Sequence, residues 1–133
     1  KDLSPGQFII VVWIFSTVAE ELFCRGLIQN IVDSKGSSYS LLGISISKPV
    51  LASALTFALM HTSIYFMGGS IPTMILVVVF TFMLGILCAK VKEKNGMRSA
   101  MFTHLAFNVG GMLTGIVAQI IMSLSNNTLI NNQ

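Results

Sequence analysis

Charge is what this chain has least of. Of its 133 residues only 10% are Asp, Glu, Lys or Arg, against about a quarter in a soluble domain. With 53% hydrophobic residues and a mean hydropathy of +0.80, that deficit excludes an ordinary water-soluble globule. Proline is limited to 3 residues and glycine to 11, which excludes collagen-like and low-complexity chains. Intrinsic disorder is excluded too, because it requires low hydrophobicity. There are only two cysteines, Cys24 and Cys88, both inside apolar segments. They make no disulfide framework and are expected to be reduced, lipid-shielded thiols. The opening residues lack the positive n-region and small-residue cleavage site of a secretory leader. The start at Lys1, without an initiator Met, is read as that of a fragment of a larger membrane protein.

What is present is long apolar segments. Four are expected to be transmembrane helices, at about 5–32, 49–67, 72–90 and 97–124. The two middle ones are near the shortest length that spans a hydrocarbon core of ~30 Å. Backbone groups in lipid must be satisfied internally, so the expected fold class is all-α, a polytopic membrane helix bundle. Ser4 before Pro5 suits an N-cap and first turn, and Asn95-Gly96 marks a turn. The stretch 33–48 is Ser-rich with a short apolar patch (Leu41, Leu42, Ile44, Ile46) and is expected to be an interfacial turn or a surface helix. Residues 1–124 form the expected core domain, and 125–133 an Asn-rich, frayed polar tail.

The net charge of +3 is unevenly spread. Lys35, Lys48, Lys90, Lys92, Lys94 and Arg98 fall on the side of the first and third connections, against Lys1 on the other. By the positive-inside rule these two connections are expected to be cytoplasmic. No basic stripe interleaves with aromatics, so nucleic acid is not an expected partner; the bilayer is.

Against this apolar background the polar residues stand out. Glu20, Glu21 and Arg25 lie in the first segment, His61 in the second, and His104 and Asn108 in the fourth. A charge buried in a bilayer costs about 2.5–3.5 kcal/mol on insertion scales, so these groups are expected to face the bundle interior and meet. At ~1.5 Å per residue, Glu20 and His61 both lie ~18 Å from the cytoplasmic face, with His104 ~10 Å and Asn108 ~16 Å in. Glu21 and Arg25 are spaced i,i+4, as are Phe57 and His61, and His104 and Asn108, so each pair shares a helix face. Glu20 points about 100° away from Glu21.

These residues carry a resemblance. Glu20-Glu21-x-x-x-Arg25, Phe57-x-x-x-His61 and His104-x-x-x-Asn108, in that order inside hydrophobic helices, resemble the three motifs of the CAAX protease and bacteriocin-processing (CPBP, or Abi) family, which includes the type II CAAX prenyl endopeptidases. The resemblance spans about residues 12–117. It departs from the family in length, since members usually carry additional N-terminal helices. It implies an intramembrane endopeptidase of glutamate type, needing no metal or cofactor, that acts on a membrane-embedded or lipidated protein or peptide. Prenylated, bacteriocin-type and signal-type precursors all fit. It further implies that Glu20 and His61 activate a water, that His104 and Asn108 donate to the oxyanion, and that Glu21, Arg25 and Phe57 support them.

Three rivals have distinct signatures. A zinc metalloprotease would use His and Glu as ligands, but the His-Glu-x-x-His helix motif is missing. A non-catalytic member acting in bacteriocin self-immunity or as a scaffold would survive the loss of Glu20. A proton pathway would need polar groups leading out through the third segment, which offers no such path.

Overall fold

The computed structural model describes residues 4–33, 38–41 and 43–131. Helix α1 covers residues 5–31 and opens on a reciprocal capping box. The Gln7 amide donates to Ser4 Oγ, and the Ser4 amide donates to Gln7 Oε1. Its geometry alternates. Pro5–Phe8, Ser16–Glu21 and Gln29–Ile31 are α-helical, while Ile9–Phe15 and Leu22–Ile28 are π-helical. A π turn closes i→i+5 and so holds more residues than the 3.6 of an α turn. Positions four apart drift by about 40° per step on a pure α-helix. Here the wider turns offset that drift, and Thr17, Glu21, Arg25 and Gln29 form one continuous buried line.

The connection that follows differs from the expected turn or surface helix. Ser38–Leu41 (β1) pairs antiparallel with Ile44–Ser47 (β2), Leu41 opposite Ile44, and Gly43 takes φ +78° in the turn. Serine alternates with a large apolar residue along both strands, a period of two that suits a pleated ribbon and no helix face. Ile46 is buried against Val50 and Ala89. Leu42 of the apolar patch, and Lys1 and Lys35 of the charge asymmetry, lie outside the described residues.

Helix α2 (Lys48–Met60) starts at Ser47, whose hydroxyl accepts the Val50 amide, with Pro49 in the first turn. The chain breaks helicity at His61 and resumes as α3 (Ser63–Phe66). Helix α4 (Ile71–Asn95) is capped by Ser70 and stops at Gly96, which has φ +86°. It overruns its expected end at Lys90, since Lys92 and Lys94 in the last turn suit the negative end of the helix dipole and nothing breaks the helix earlier. Helix α5 (Met97–Asn131) likewise continues past Leu124 into the polar tail.

Among the described residues, three helical stretches are long and apolar enough to cross a membrane, Lys48–Phe66, Ile71–Asn95 and Met97–Ser125. The fourth helix, α1, carries Glu20, Glu21 and Arg25. The architecture is an all-α membrane bundle, and it turns large apolar side chains outward along every long helix, Leu59, Leu76, Phe80 and Phe102 among them. Its centre is small: Cys24, Phe57, Leu84, Cys88 and Ala100 form one buried cluster. Helices α2 and α4 approach closely at Gly85, where a Cβ would lie 2.9 Å from the Ala54 Cα.

Candidate active site

The site is built outward from the buried line on α1. Glu21 and Arg25, both fully buried, form an ion pair with Arg25 Nη1 3.1 Å from Glu21 Oε1. Arg25 Nη2 also donates to the Gly85 carbonyl of α4 at 3.1 Å, and its guanidinium sits 4.6 Å from the centre of the Phe57 ring. A buried charge needs this much company, because isolated it would lose several kcal/mol of solvation. One turn on, Gln29 Nε2 donates to the Ala89 carbonyl at 3.1 Å.

Helix α5 brings His104 against both glutamates. Glu21 Oε1 lies 2.9 Å from His104 Nδ1, and Glu20 Oε2 lies 3.8 Å from His104 Nε2. A carboxylate only accepts, so Nδ1 is the donor to Glu21. That leaves Nε2 as the atom turned to Glu20. The other Glu20 oxygen accepts from Ser16 Oγ at 2.6 Å. One turn along α5, Asn108 Nδ2 donates to Thr17 Oγ1 at 3.0 Å.

Helix α2 contributes Phe57, and His61 follows at its C-terminal end. Phe57 is fully buried and stands edge-on to both imidazoles, its ring centre 4.8 Å from that of His61 and 5.2 Å from that of His104. His61 Nδ1 donates to the Phe57 carbonyl at 2.8 Å, which leaves Nε2 as the acceptor of that ring. His61, His104 and Asn108 line one cavity of about 300 Å³, walled otherwise by side chains of α4 and α5 such as Leu76, Phe80 and Phe107.

All seven residues singled out in the sequence therefore fall in one region, with the Glu21–Arg25 pair formed as its spacing predicts and the other contacts made along different connections. Glu20 makes no hydrogen bond to His61 among the described residues; the imidazole it approaches is that of His104, at 3.8 Å. Glu21, itself paired with Arg25, holds His104, and it is Ser16 that holds Glu20. Neighbouring residues on a helix diverge by about 100°, but the two nitrogens of one imidazole are far enough apart to meet both carboxylates. The sequence reading missed Ser16, Thr17 and Gln29. Ser16 and Thr17 precede Glu20 and Glu21 by one turn, and Gln29 follows Arg25 by one, so the signal was a polar repeat of four running along α1. Among the described residues no three His, Cys, Asp or Glu side chains are grouped to hold a metal ion.

A family model described as type II CAAX prenyl endopeptidase Rce1-like matches residues 3–110, a range that contains all seven of these residues. No curated protein and no solved structure matches the chain significantly.

Proposed function

The chain belongs to the Rce1-like family of type II CAAX prenyl endopeptidases, and from that membership we propose that it is an intramembrane endopeptidase of glutamate type. Its substrate is a membrane-associated peptide or protein, of which a prenylated C-terminal segment is the leading candidate. The observation that carries the reading is the convergence on one site, His104 between two carboxylates and sharing a cavity with His61 and Asn108.

Glu20 is the general base. It takes a proton from a water whose other hydrogen is accepted by His61 Nε2, and the water oxygen bonds to the scissile carbonyl carbon. The oxyanion that forms is met by Asn108 Nδ2–H, a donor fixed in advance, and by His104 Nε2–H once that nitrogen has taken the water's proton from Glu20 across the 3.8 Å gap. When the C–N bond breaks, the leaving amine takes that proton. Glu21, itself paired with Arg25, holds the His104 ring, and Phe57 spaces the two imidazoles. The hairpin and the α4–α5 turn face the cytoplasm, as the positive-inside rule directs.

The test compares new peptide termini in the membrane proteomes of cells expressing the parent protein and its Glu20→Gln form, with and without chelator. Termini that need Glu20 and ignore the chelator are expected. Chelator-sensitive termini would favour a metal enzyme. Identical termini with the parent phenotype intact would overturn proteolysis and leave a non-catalytic role in immunity or scaffolding.

A further inference from the structure

Serine and threonine hydroxyls inside helices ordinarily return to the carbonyl four residues back. Thr56, Thr81, Thr103 and Thr114 all do so, donating to the carbonyls of Ala52, Val77, Ser99 and Gly110. Ser16 does not. Its hydroxyl points forward along α1 and donates to Glu20 Oε1 at 2.6 Å, a length in the range of a hydroxyl bound to a carboxylate.

The setting gives this bond a consequence. The Glu20 side chain is one-fifth exposed, whereas Glu21 is fully enclosed. Glu21 is held by Arg25 and His104. Among the described residues, Glu20 has only Ser16 at hydrogen-bond distance, with His104 at 3.8 Å. A glutamate held at one oxygen has a fixed carboxylate plane, and its second oxygen is left free in a set direction. Here that direction is towards His104 Nε2. Ser16 is also the first residue of the α-helical stretch Ser16–Glu21, directly after the π-helical Ile9–Phe15. The return to α geometry at Ser16 is what brings a residue four positions back onto the Glu20 face.

We propose that Ser16 is a positioning residue, which holds the Glu20 carboxylate so that Oε2 alone is offered to the reacting water and to His104. The assignment rests on the reading of Glu20 as general base. Ser16 touches no substrate atom and acts only through Glu20.

The test uses the full chain in detergent or vesicles with an internally quenched, farnesylated CAAX peptide. Ser16→Ala is expected to lower kcat about tenfold, the loss of one hydrogen bond to a charged group, with KM changed less than about twofold. Ser16→Thr, which restores a hydroxyl, is expected to recover most of the rate, an effect that packing alone does not explain. In a Glu20→Asp background, whose shorter side chain does not reach Ser16, Ser16→Ala is expected to add no further loss. Equal kcat in wild type and Ser16→Ala, or an undiminished effect of Ser16→Ala on top of Glu20→Asp, would overturn the assignment.

A second measurement is independent of turnover. The carboxylate stretch of Glu20, isolated by infrared difference against Glu20→Gln, is expected to shift in Ser16→Ala and return in Ser16→Thr. A band that ignores Ser16 overturns the proposal. A peptide left intact by the wild type, or cut equally well by Glu20→Gln, would overturn the catalytic reading instead, and the band would still report on Ser16.

Discussion

Replacing Arg25 by methionine strips the centre of the site of its buried cation while filling much of the same volume. Three contacts go at once. These are the ion pair with Glu21 at 3.1 Å, the donation to the Gly85 carbonyl at 3.1 Å and the approach to the Phe57 ring at 4.6 Å. The hydrogen bond from a charged donor is worth about 1.5–3 kcal/mol and the ring contact about 0.5–2 kcal/mol, but they overlap, and the dominant effect is a carboxylate left buried without its partner. Breaking such a pair from one side costs about 3–5 kcal/mol. His104 still donates to Glu21, so the expected loss is near the lower end, about 3 kcal/mol. Removing the stranded charge should recover most of it. When Glu21→Gln is combined with Arg25→Met, the side-chain carbonyl of the new amide still accepts from His104. The double variant is therefore expected to lie within about 1–2 kcal/mol of the wild type. Denaturant titration in micelles, followed through the single tryptophan, Trp13 of α1, measures both. If the single and double variants are equally unstable, the stranded charge is not the source of the cost and the account of Arg25 is wrong.

Other substitutions probe the neighbouring contacts. Gly85→Ala places a Cβ 2.9 Å from the Ala54 Cα and is expected to destabilise the α2–α4 contact by about 1–3 kcal/mol, read as a lower thermal midpoint; a variant as stable as the wild type would mean the helices separate freely. Phe57→Ala opens a fully buried space between two histidines and Arg25 and is expected to cost about 3–5 kcal/mol, read in the same denaturant titration, whereas Phe57→Leu should fold and cleave more slowly. Thr17→Val keeps the shape but removes the acceptor for Asn108; a fall in cleavage of about tenfold with an unchanged unfolding midpoint is expected, and full activity would show that the bond does not orient Asn108.

The outline of the site is legible in the sequence because the bilayer makes polarity conspicuous. In a chain with 10% charged residues, Glu20, Glu21, Arg25, His61 and His104 have few places to go, and the helical rise fixes their depth. The i,i+4 rule is enough to anticipate the Glu21–Arg25 pair. It is not enough to say that both glutamates meet the same histidine, since that depends on how far α5 is rotated about its axis. The π-helical stretches of α1 are hidden as well, because Ile9–Phe15 and Leu22–Ile28 contain nothing that distinguishes a wide turn from an ordinary one. With them goes the buried alignment of Thr17 and Gln29. The hairpin at 38–47 passes for a turn or helix because each of its strands is only four residues long, and its alternation with serine looks like mere polarity.

The two bonds from α1 to the backbone of α4 have a mechanical meaning. Arg25 grips the Gly85 carbonyl and Gln29 grips the Ala89 carbonyl, so the same four-residue step is engaged on both helices in the same direction, like two teeth of a rack. The residues gripped are glycine and alanine, small enough to leave their carbonyls open to a neighbouring side chain. Sliding α1 along α4 by one turn would disengage both teeth inside an apolar interior, where an unmet amide or guanidinium is costly. The pair is therefore locked lengthwise. Glu20, Glu21 and the helix that carries them keep a constant height relative to α4.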